Sequence, residues 1–488
     1  MRAVDPGSPR AARIAWLVLL IVLPVVVIFQ QMQANAVSER DPARIMAPQG
    51  DEVEISARLG ARTFYATKTA GPMLQAQVDQ AVESADTPLQ RFRAAISAGE
   101  LLGPGQAAER FGRVVDMLET ESDAHYPPGE EGGQERRNQL LEDAWTLLPF
   151  YQSLAEDPEA TDALPADVIT GLEERHGFFG ELVRVAPLPP EAPQREDLLA
   201  GALIPLVVMV GLIAVIVLGL VSSLVLGIVA LVFAGMGRIR FAMARPAPGG
   251  SVYLESAVVF VAGFAALQII GAIAASLGAG VEAVVGILAM PAQWLLLLAP
   301  LWPLVRGVSM SRLKDDLGLR APRGVLLEIW MGVVGYLALL PLMLVGVAVM
   351  LVIMAVMEMI WPSDPDAMGP TNPFLPIIES MNPLLLIMLF TLATIWAPLC
   401  EELIFRGALL RHLRGRMVLP LAAVLSAVVF GMMHGYSVVQ LIPVTVLGFN
   451  FALIRAWRGS LIGPIVAHAL NNAVVLSLLY ALGFALYG

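Results

Sequence analysis

Long apolar runs alternate with short polar segments over most of this chain, and one large polar block interrupts them. The first run, residues 14–29, is short for a membrane-spanning helix, which needs about 20 apolar residues. Further runs that could cross a membrane lie near residues 198–236, 252–275, 282–305, 324–361, 383–410, 417–436, 437–455 and 460–484. The pattern predicts an all-α polytopic membrane protein with nine crossings, or eight if the first run is removed.

The first apolar run allows two interpretations. Arg2, Arg10 and Arg13 precede it, and Ala34-Asn35-Ala36 follows it at a position typical of a signal-peptidase site. Residues 1–29 are therefore predicted to be either a membrane anchor or a signal peptide. Both interpretations place the next segment outside the cytoplasm, because the positive flank stays inside.

The polar block at residues 30–197 is predicted to be a small, mostly helical extracytoplasmic domain. Segments 89–102, 107–121 and 138–154 carry apolar residues at helical spacing. Residues 31–200 contain 30 acidic and 14 basic residues, although the whole chain has a net charge of only −11. His125 and His176 are each expected to be surface residues. The domain could bind a protein partner, but its sequence does not indicate which.

The basic residues of the later loops support one orientation in the membrane. They form clusters at residues 238–245, 306–323, 411–416 and 455–458, while the loops near 277–282 and 362–382 are neutral or acidic. If the N-terminus is inside, every basic cluster lies on the cytoplasmic side, as the positive-inside rule requires. We therefore predict an integral, multi-pass protein of the lipid bilayer, in a bacterial inner membrane.

Composition agrees with this class and excludes others. The chain is 57 % hydrophobic and 15 % charged, which is typical of polytopic membrane proteins and not of soluble enzymes. Its only cysteine, Cys400, excludes an internal disulfide and is expected to be an apolar filler rather than a nucleophile. Nothing in the charge pattern indicates nucleic-acid binding.

Three ionisable residues follow about twenty apolar positions in Glu401-Glu402-Leu403-Ile404-Phe405-Arg406. Charge within the bilayer is costly, so such residues indicate a functional site by default. Glu402 and Arg406 are four residues apart and share one face of an α-helix, whereas Glu401 points about 100° away from Glu402. The spacing predicts a Glu402–Arg406 ion pair and an unpaired Glu401. The alternative is a helix end whose ion pair is solvated in the cytoplasm.

Two further apolar segments also carry isolated polar residues. His434 lies four residues after Phe430 in the predicted helix at 417–436. His468 and Asn472 are also four residues apart and share one face of the last predicted helix. A single histidine in an apolar helix is commonly a packing residue bonded to a backbone carbonyl. Three such polar groups in the final ninety residues are harder to explain by packing.

Together these residues could hydrolyse a peptide bond. Glu401 could act as general base on a water that His434 orients, and His468 and Asn472 could donate hydrogen bonds to the developing oxyanion. A zinc site is an alternative, because Glu401, His434 and His468 are acceptable ligands that leave one position open. The expected cofactor is none, with zinc as the second possibility.

These motifs resemble the CAAX-prenyl endopeptidase and bacteriocin-processing family of intramembrane proteases, also called CPBP or Abi. The family pattern is E-E-x-x-x-R, F-x-x-x-H and H-x-x-x-N on successive membrane helices. In this chain the pattern reads Glu401-Glu402…Arg406, Phe430…His434 and His468…Asn472. The similarity covers roughly residues 385–480 and leaves the acidic block and the first spans outside it.

The resemblance implies an intramembrane endopeptidase with a catalytic core at residues 383–484 and accessory helices at 198–382. By motif position, Glu401 resembles the activating glutamate, His434 its water-holding partner, and His468 with Asn472 the oxyanion pair. Glu402, with Arg406 and Phe430 as supporting residues, completes the implied site. A glutamate mechanism without metal is the implied chemistry, and the implied substrate is a peptide or membrane protein. Two alternatives remain open, a non-catalytic immunity or scaffold protein and a proton-coupled transporter.

Overall fold

A computed structural model of the chain describes residues 4–40, 87–120, 133–157, 163–189, 192–199, 203–360, 383–436 and 439–487. Within these ranges the regular structure is entirely helical, which confirms the all-α prediction. The chain divides into two compact units. The membrane unit comprises Met1–Arg40 and Ile213–Tyr480, and the second unit, the polar unit, comprises Asp41–Leu212 and Ala481–Gly488.

Six helices form the described part of the polar unit before the membrane helices begin. The first helix of the chain, α1 Pro9–Arg40, belongs to the membrane unit. The helices of the polar unit follow it and are therefore numbered from α2. Their bounds are α2 Pro88–Leu102, α3 Pro104–Thr120, α4 Gly133–Glu156, α5 Ala166–His176, α6 Phe178–Val185 and α7 Pro193–Leu199. The three helices predicted at 89–102, 107–121 and 138–154 correspond to α2, α3 and α4.

The polar unit has its own aromatic core. Helix α2 begins with a capping box in which Thr87 and Gln90 exchange side-chain and backbone hydrogen bonds. The rings of Phe92, Phe111 and Tyr151 pack against one another inside it, with centroids 5.4 and 5.5 Å apart along the series. His176 is buried in this core, so the expectation that it is a surface residue was wrong. His125 lies outside the described residues.

The membrane unit contains seven described helices that are long and apolar enough to cross a membrane, or eight if one bent pair counts as a span. Besides α1, the helices of this part of the chain are α8 Leu203–Gly235, α9 Val252–Ser276, α10 Ala279–Ala292, α11 Trp302–Val305, α12 Met310–Leu317 and α13 Val325–Ile360. Within the long run at 198–236, residues 203–235 form one uninterrupted helix, in agreement with the single long helix that was predicted.

Two of the nine predicted crossings differ from the structure. The run at 282–305 is not one helix, because a 3₁₀ segment, Gln293–Leu301, joins α10 to α11, and Pro291, Pro300 and Pro303 interrupt helical bonding there. The segment Gln293–Val305 then meets α12 at 117°. The run at 417–436 forms α15, Leu419–Met432, whose 14 residues are too few to span the bilayer upright.

The remaining helices carry the predicted site. Helix α14 runs from residue 383 to 416, α16 is Leu441–Arg458 and α17 is Ile462–Tyr487. Helix α14 is regular at Pro383–Thr391, Ala397–Glu401 and Leu410–Arg416. Between these parts it widens into two π-helical segments, Leu392–Trp396 and Glu402–Leu409. Helical π segments occur frequently at functional sites. The second π segment therefore indicates a functional site here without any reference to the charged residues of the motif.

Candidate active site

Glu402 and Arg406 form a fully buried ion pair inside the second π segment of α14. Arg406 Nη1 donates to Glu402 Oε1 over 2.9 Å, and both side chains are 0 % exposed. The other guanidinium nitrogen, Nη2, donates to the Gly448 carbonyl of α16 over 2.9 Å. The ion pair expected from the spacing is therefore present, but at a wide π turn rather than at the regular α-helical turn that was assumed. Its complete burial excludes the alternative of a solvated helix end.

Aromatic rings enclose the Arg406 guanidinium. Its central carbon lies 4.1 Å from the centroid of Phe430 and 5.3 Å from that of Phe451. Cation–π attraction increases when the cation is desolvated, as it is here. Arg406 therefore links α14 to both α15 and α16.

His468 of α17 bridges the two glutamates. Its Nδ1 lies 3.0 Å from Glu402 Oε1, and its Nε2 lies 4.0 Å from Glu401 Oε2. Glu402 Oε1 also accepts from Arg406, so this oxygen is an acceptor and we assign the hydrogen of its contact with His468 to Nδ1. The ring stacks on Phe451 with centroids 4.9 Å apart, which fixes its plane. Nε2 therefore faces Glu401.

Glu401 differs from Glu402 in exposure and in hydrogen bonding. Its side chain is 15 % exposed, and within the described ranges it has no partner like the Arg406 that bonds Glu402. Among the described residues, the buried Oε2 atoms of both Glu401 and Glu402 have no hydrogen-bond partner. Glu401 is thus a partly exposed carboxylate beside a buried cluster.

His434 lies beyond the end of α15, in a turn rather than in the predicted helix. Its backbone N–H donates to the Gly431 carbonyl over 3.0 Å, and its Nδ1 lies 2.9 Å from the Phe430 carbonyl. A carbonyl only accepts, so Nδ1 carries the hydrogen and Nε2 is left as an acceptor. The ring packs edge-on against Phe430 at 4.7 Å, and His468 packs against the same ring at 5.8 Å.

Asn472 makes a different set of contacts from those expected of an oxyanion donor. Its Nδ2 donates to the Ala393 carbonyl in the first π segment over 2.8 Å. Its Oδ1 accepts from Asn471 Nδ2 over 3.2 Å, and Asn471 Oδ1 lies 3.4 Å from the hydroxyl of Tyr336 on α13. One Asn472 amide hydrogen is therefore used to hold α17 against α14, which leaves the second for other contacts.

Several residues of the site were not singled out from the sequence. A methyl group on Gly448 would lie 2.8 Å from Phe430 Cδ1 and 3.0 Å from Arg406 Nη2, so only glycine fits between them. Phe451 and Asn450 lie on the same helix, and Asn450 Nδ2 donates to the Leu339 carbonyl of α13 over 2.9 Å. A polar Asn450 within the apolar α16 was the available signal, since such residues are rare in membrane helices.

The zinc alternative has no fitting ligand set in the part of the chain that the structure describes. There, no three His, Cys, Asp or Glu side chains lie close enough together to hold a metal ion, and this includes Glu401, His434 and His468. Cys400 is a free thiol, fully buried in the apolar core around Phe405 and Phe430, as expected of a filler.

Comparison with known proteins places this site in a recognisable segment. Residues 383–474 match the family described as "Type II CAAX prenyl endopeptidase Rce1-like". A Bacillus subtilis (strain 168) protein named "Putative membrane peptidase YdiL" is 31 % identical over 105 residues, which is 22 % of this chain and 41 % of that protein. No solved structure matches the chain. The resemblance to the CAAX-prenyl endopeptidase family is therefore confirmed for residues 383–474, the segment that contains every predicted site residue.

Proposed function

We propose that this chain is an intramembrane endopeptidase in which Glu401 activates the attacking water. The observation that carries the proposal is the contrast between the two adjacent glutamates. Glu402 is fully buried and bonded to both Arg406 and His468, while Glu401 keeps partial exposure and lies 4.0 Å from His468. A general base must reach water and be free to take a proton. The partial exposure of Glu401 and its Oε2, which has no hydrogen-bond partner among the described residues, support this assignment.

The charges of the cluster give His468 a defined part in the reaction. Glu401 and Glu402 ionised with one Arg406 would leave an excess negative charge in a desolvated site, which is costly. One additional proton, on His468 Nε2 or on Glu401, makes the cluster neutral. We assign it to His468 in the resting state, because Glu402 already bonds the opposite nitrogen and supports the imidazolium.

The proposed reaction then proceeds in two steps. Water held between Glu401 and the acceptor Nε2 of His434 gives a proton to Glu401 as its oxygen attacks the peptide carbonyl. The protonated His468 Nε2, with the remaining amide hydrogen of Asn472, donates to the oxyanion. As the C–N bond breaks, Glu401 returns its proton to the amine nitrogen, so the acid and amine products form without any other reactant.

The substrate is proposed to be a peptide or membrane protein that reaches the site from the bilayer or the cytoplasm. The matched family name concerns prenylated C-termini, and whether this chain requires a prenyl group is part of the test. The bilayer is proposed to be a bacterial inner membrane. The polar unit is proposed to bind a protein partner outside the cytoplasm.

The test compares newly formed peptide N-termini in membranes from cells that carry the wild-type chain or Glu401→Gln. We expect a set of N-termini to disappear in the variant at equal protein levels. Quenched fluorescent peptides across the strongest of these sites, with and without a prenyl group where the site allows, would then measure turnover by the purified protein in liposomes. Identical N-termini in both membranes would contradict the proposed peptidase and favour a non-catalytic role.

A further inference from the structure

The turn that carries His434 is held by a residue from the opposite end of the chain. Gln30 is the last residue of the apolar part of α1, and its Nε2 donates to the Met433 carbonyl over 3.1 Å. The two residues are 403 positions apart. Gln30 lies outside residues 383–474, the matched family segment, and no motif in the sequence pointed to it.

Gln30 contacts the chain on both sides of His434. On one side is its hydrogen bond to Met433. On the other side is Gly435, with φ +70°, where a methyl group would lie 3.3 Å from Gln30 Cβ and Cδ. The Gln30 side chain therefore packs along the backbone that carries the histidine.

This contact supplies a hydrogen bond to the His434 turn that the turn's own helix does not supply. Helix α15 ends at Met432, and carbonyls at a helix C-terminus have no intrahelical partners. Within the turn, the Phe430 and Gly431 carbonyls bond groups of Met433 and His434. The Met433 carbonyl instead receives its hydrogen bond from Gln30, so α1 adds a contact that α15 cannot make.

Helix α1 packs against the core of the membrane unit, so it can hold Gln30 in a defined position. Ala15, Leu19, Leu23 and Val26 are buried along one face, in the same apolar core as Phe405 and Phe430. In a bilayer, close packing of such side chains against neighbouring helices holds a helix in place. The opposite face, with Ile28 59 % exposed, faces away from the protein core.

We propose that Gln30 is a positioning residue for His434 and that α1 is retained in the mature protein as part of the catalytic unit. This inference rests on the proposed function, because positioning has meaning only if His434 holds the reacting water. It also decides between the two interpretations of residues 1–29. Removal of a signal peptide at Ala36 would remove Gln30 and leave the Met433 carbonyl without its donor.

The kinetic test uses Gln30→Met, which keeps the side-chain length and removes the donor. With a quenched peptide across the strongest Glu401-dependent site, we expect kcat to fall about tenfold and KM to stay unchanged. Gln30→Glu faces a carboxylate oxygen toward the Met433 carbonyl and should lower kcat further. Ile28→Met on the lipid-facing side of the same helix is the matched control and should behave as wild type.

A role in packing alone gives a different result. It would lower the thermal stability of Gln30→Met without changing kcat for the folded fraction, and that outcome overturns the proposal. Full activity of both Gln30 variants would overturn it as well. Glu401→Gln runs in parallel: if that variant cleaves normally, the proposed function has failed, whereas an inactive Glu401→Gln with active Gln30 variants contradicts only the positioning role.

Two measurements test the placement without using activity. Intact mass of the purified protein should retain residues 1–36, and a mature chain that begins after Ala36 would overturn the proposal. The double variant Gln30→Cys/Gly435→Cys should form a disulfide on oxidation, because the Cβ separation of 3.3 Å is close to that of disulfides. Ile28→Cys/Gly435→Cys carries the same strain at Gly435 and should not crosslink. Equal crosslinking of both pairs would overturn the placement of Gln30.

Discussion

Each unit of this protein contains a trio made of one carboxylate, one arginine and one histidine, in which the carboxylate contacts the other two side chains. In the membrane unit, Glu402 accepts from Arg406 and His468, and His468 stacks on Phe451 at 4.9 Å. In the polar unit, Asp143 accepts from Arg175 over 2.7 and 2.9 Å and lies 3.0 Å from His176 Nε2. His176 likewise lies against an aromatic ring, that of Phe92, at 4.6 Å.

What separates the trios is the group on the far side of the histidine. His468 Nε2 faces Glu401, a second carboxylate, at 4.0 Å. The second nitrogen of His176, Nδ1, is buried without a hydrogen-bond partner among the described residues. A carboxylate that contacts both a histidine and an arginine therefore occurs in both units. Only the membrane unit adds a second, partly exposed carboxylate, Glu401, which is the proposed general base.

The largest expected effect follows from removing that extra carboxylate. Glu401→Gln should lower peptide turnover by about 10²–10⁴-fold, the usual contribution of a general base, because the amide takes no proton from water. Thermal stability should change little, since Glu401 is not part of the buried ion pair. Turnover in liposomes and melting in detergent measure the two effects. Asp143→Asn serves as the matched control, and a comparable loss of turnover in that variant would break the comparison between the trios.

A second expectation concerns the Glu402 carboxylate, which contacts both Arg406 and His468. Glu402→Gln should destabilise the membrane unit by about 3–5 kcal/mol, because it leaves the buried Arg406 without its counter-charge. In Asp143→Asn the loss should be smaller, since Arg175 is 36 % exposed and water can solvate it. Hydrogen exchange of the two units in the full chain distinguishes these outcomes. An unchanged membrane unit in Glu402→Gln would contradict the ion pair as a source of stability.

A smaller effect is expected where α16 passes closest to the ion pair. Gly448→Ala places a methyl group 2.8 Å from Phe430 Cδ1, and overpacking of this kind costs about 1–3 kcal/mol. Because Phe430 contacts both site histidines, turnover should fall together with stability. Gly211→Ala on α8 is a suitable control, since a methyl group there would meet no neighbour within 4 Å. Equal stability of the two variants would show that the Gly448 contact is tolerated.

The smallest effect is a pH dependence confined to the polar unit. Burial lowers the pKa of His176, although its hydrogen bond to Asp143 opposes the shift. Below the unfolded pKa of about 6.5 the unfolded chain binds a proton that the folded unit does not, so stability falls as the pH falls. Burial alone would raise the pKa of Asp143, but the bonds from His176 and Arg175 outweigh it and lower that pKa, so its contribution is lost at still lower pH.

The measurement for this prediction is amide exchange of α4 and α5 in the full chain between pH 7 and pH 5. His176→Gln should remove most of the pH dependence in that range. If wild type and His176→Gln respond equally to acid, His176 is not the group responsible.

Much of the fold could be predicted from local pattern. The long helices α8 and α13 follow from their long apolar runs, and α13 continues through Pro341. Helix α2 follows from its apolar spacing. The predictions failed where a local signal competed with a longer pattern. Prolines at 291, 300 and 303 divided the run at 282–305, and the buried environment of His176 depends on Asp143, which lies 33 residues earlier in the chain.

The sequence by itself indicated Glu401, Glu402, His434 and His468 as candidate site residues, because they are polar groups in apolar runs, where their cost in the membrane marks them. Gly448, Asn450 and Phe451 became apparent only in the structure. The sequence also determined the Glu402–Arg406 pair, which needs only a spacing of four residues. The tertiary structure decided that His468, 66 residues away, bridges both glutamates, and that Gln30, 403 positions from Met433, holds the His434 turn. Periodicity along one helix gives the direction of a side chain, but its partner on another helix depends on how the whole core packs.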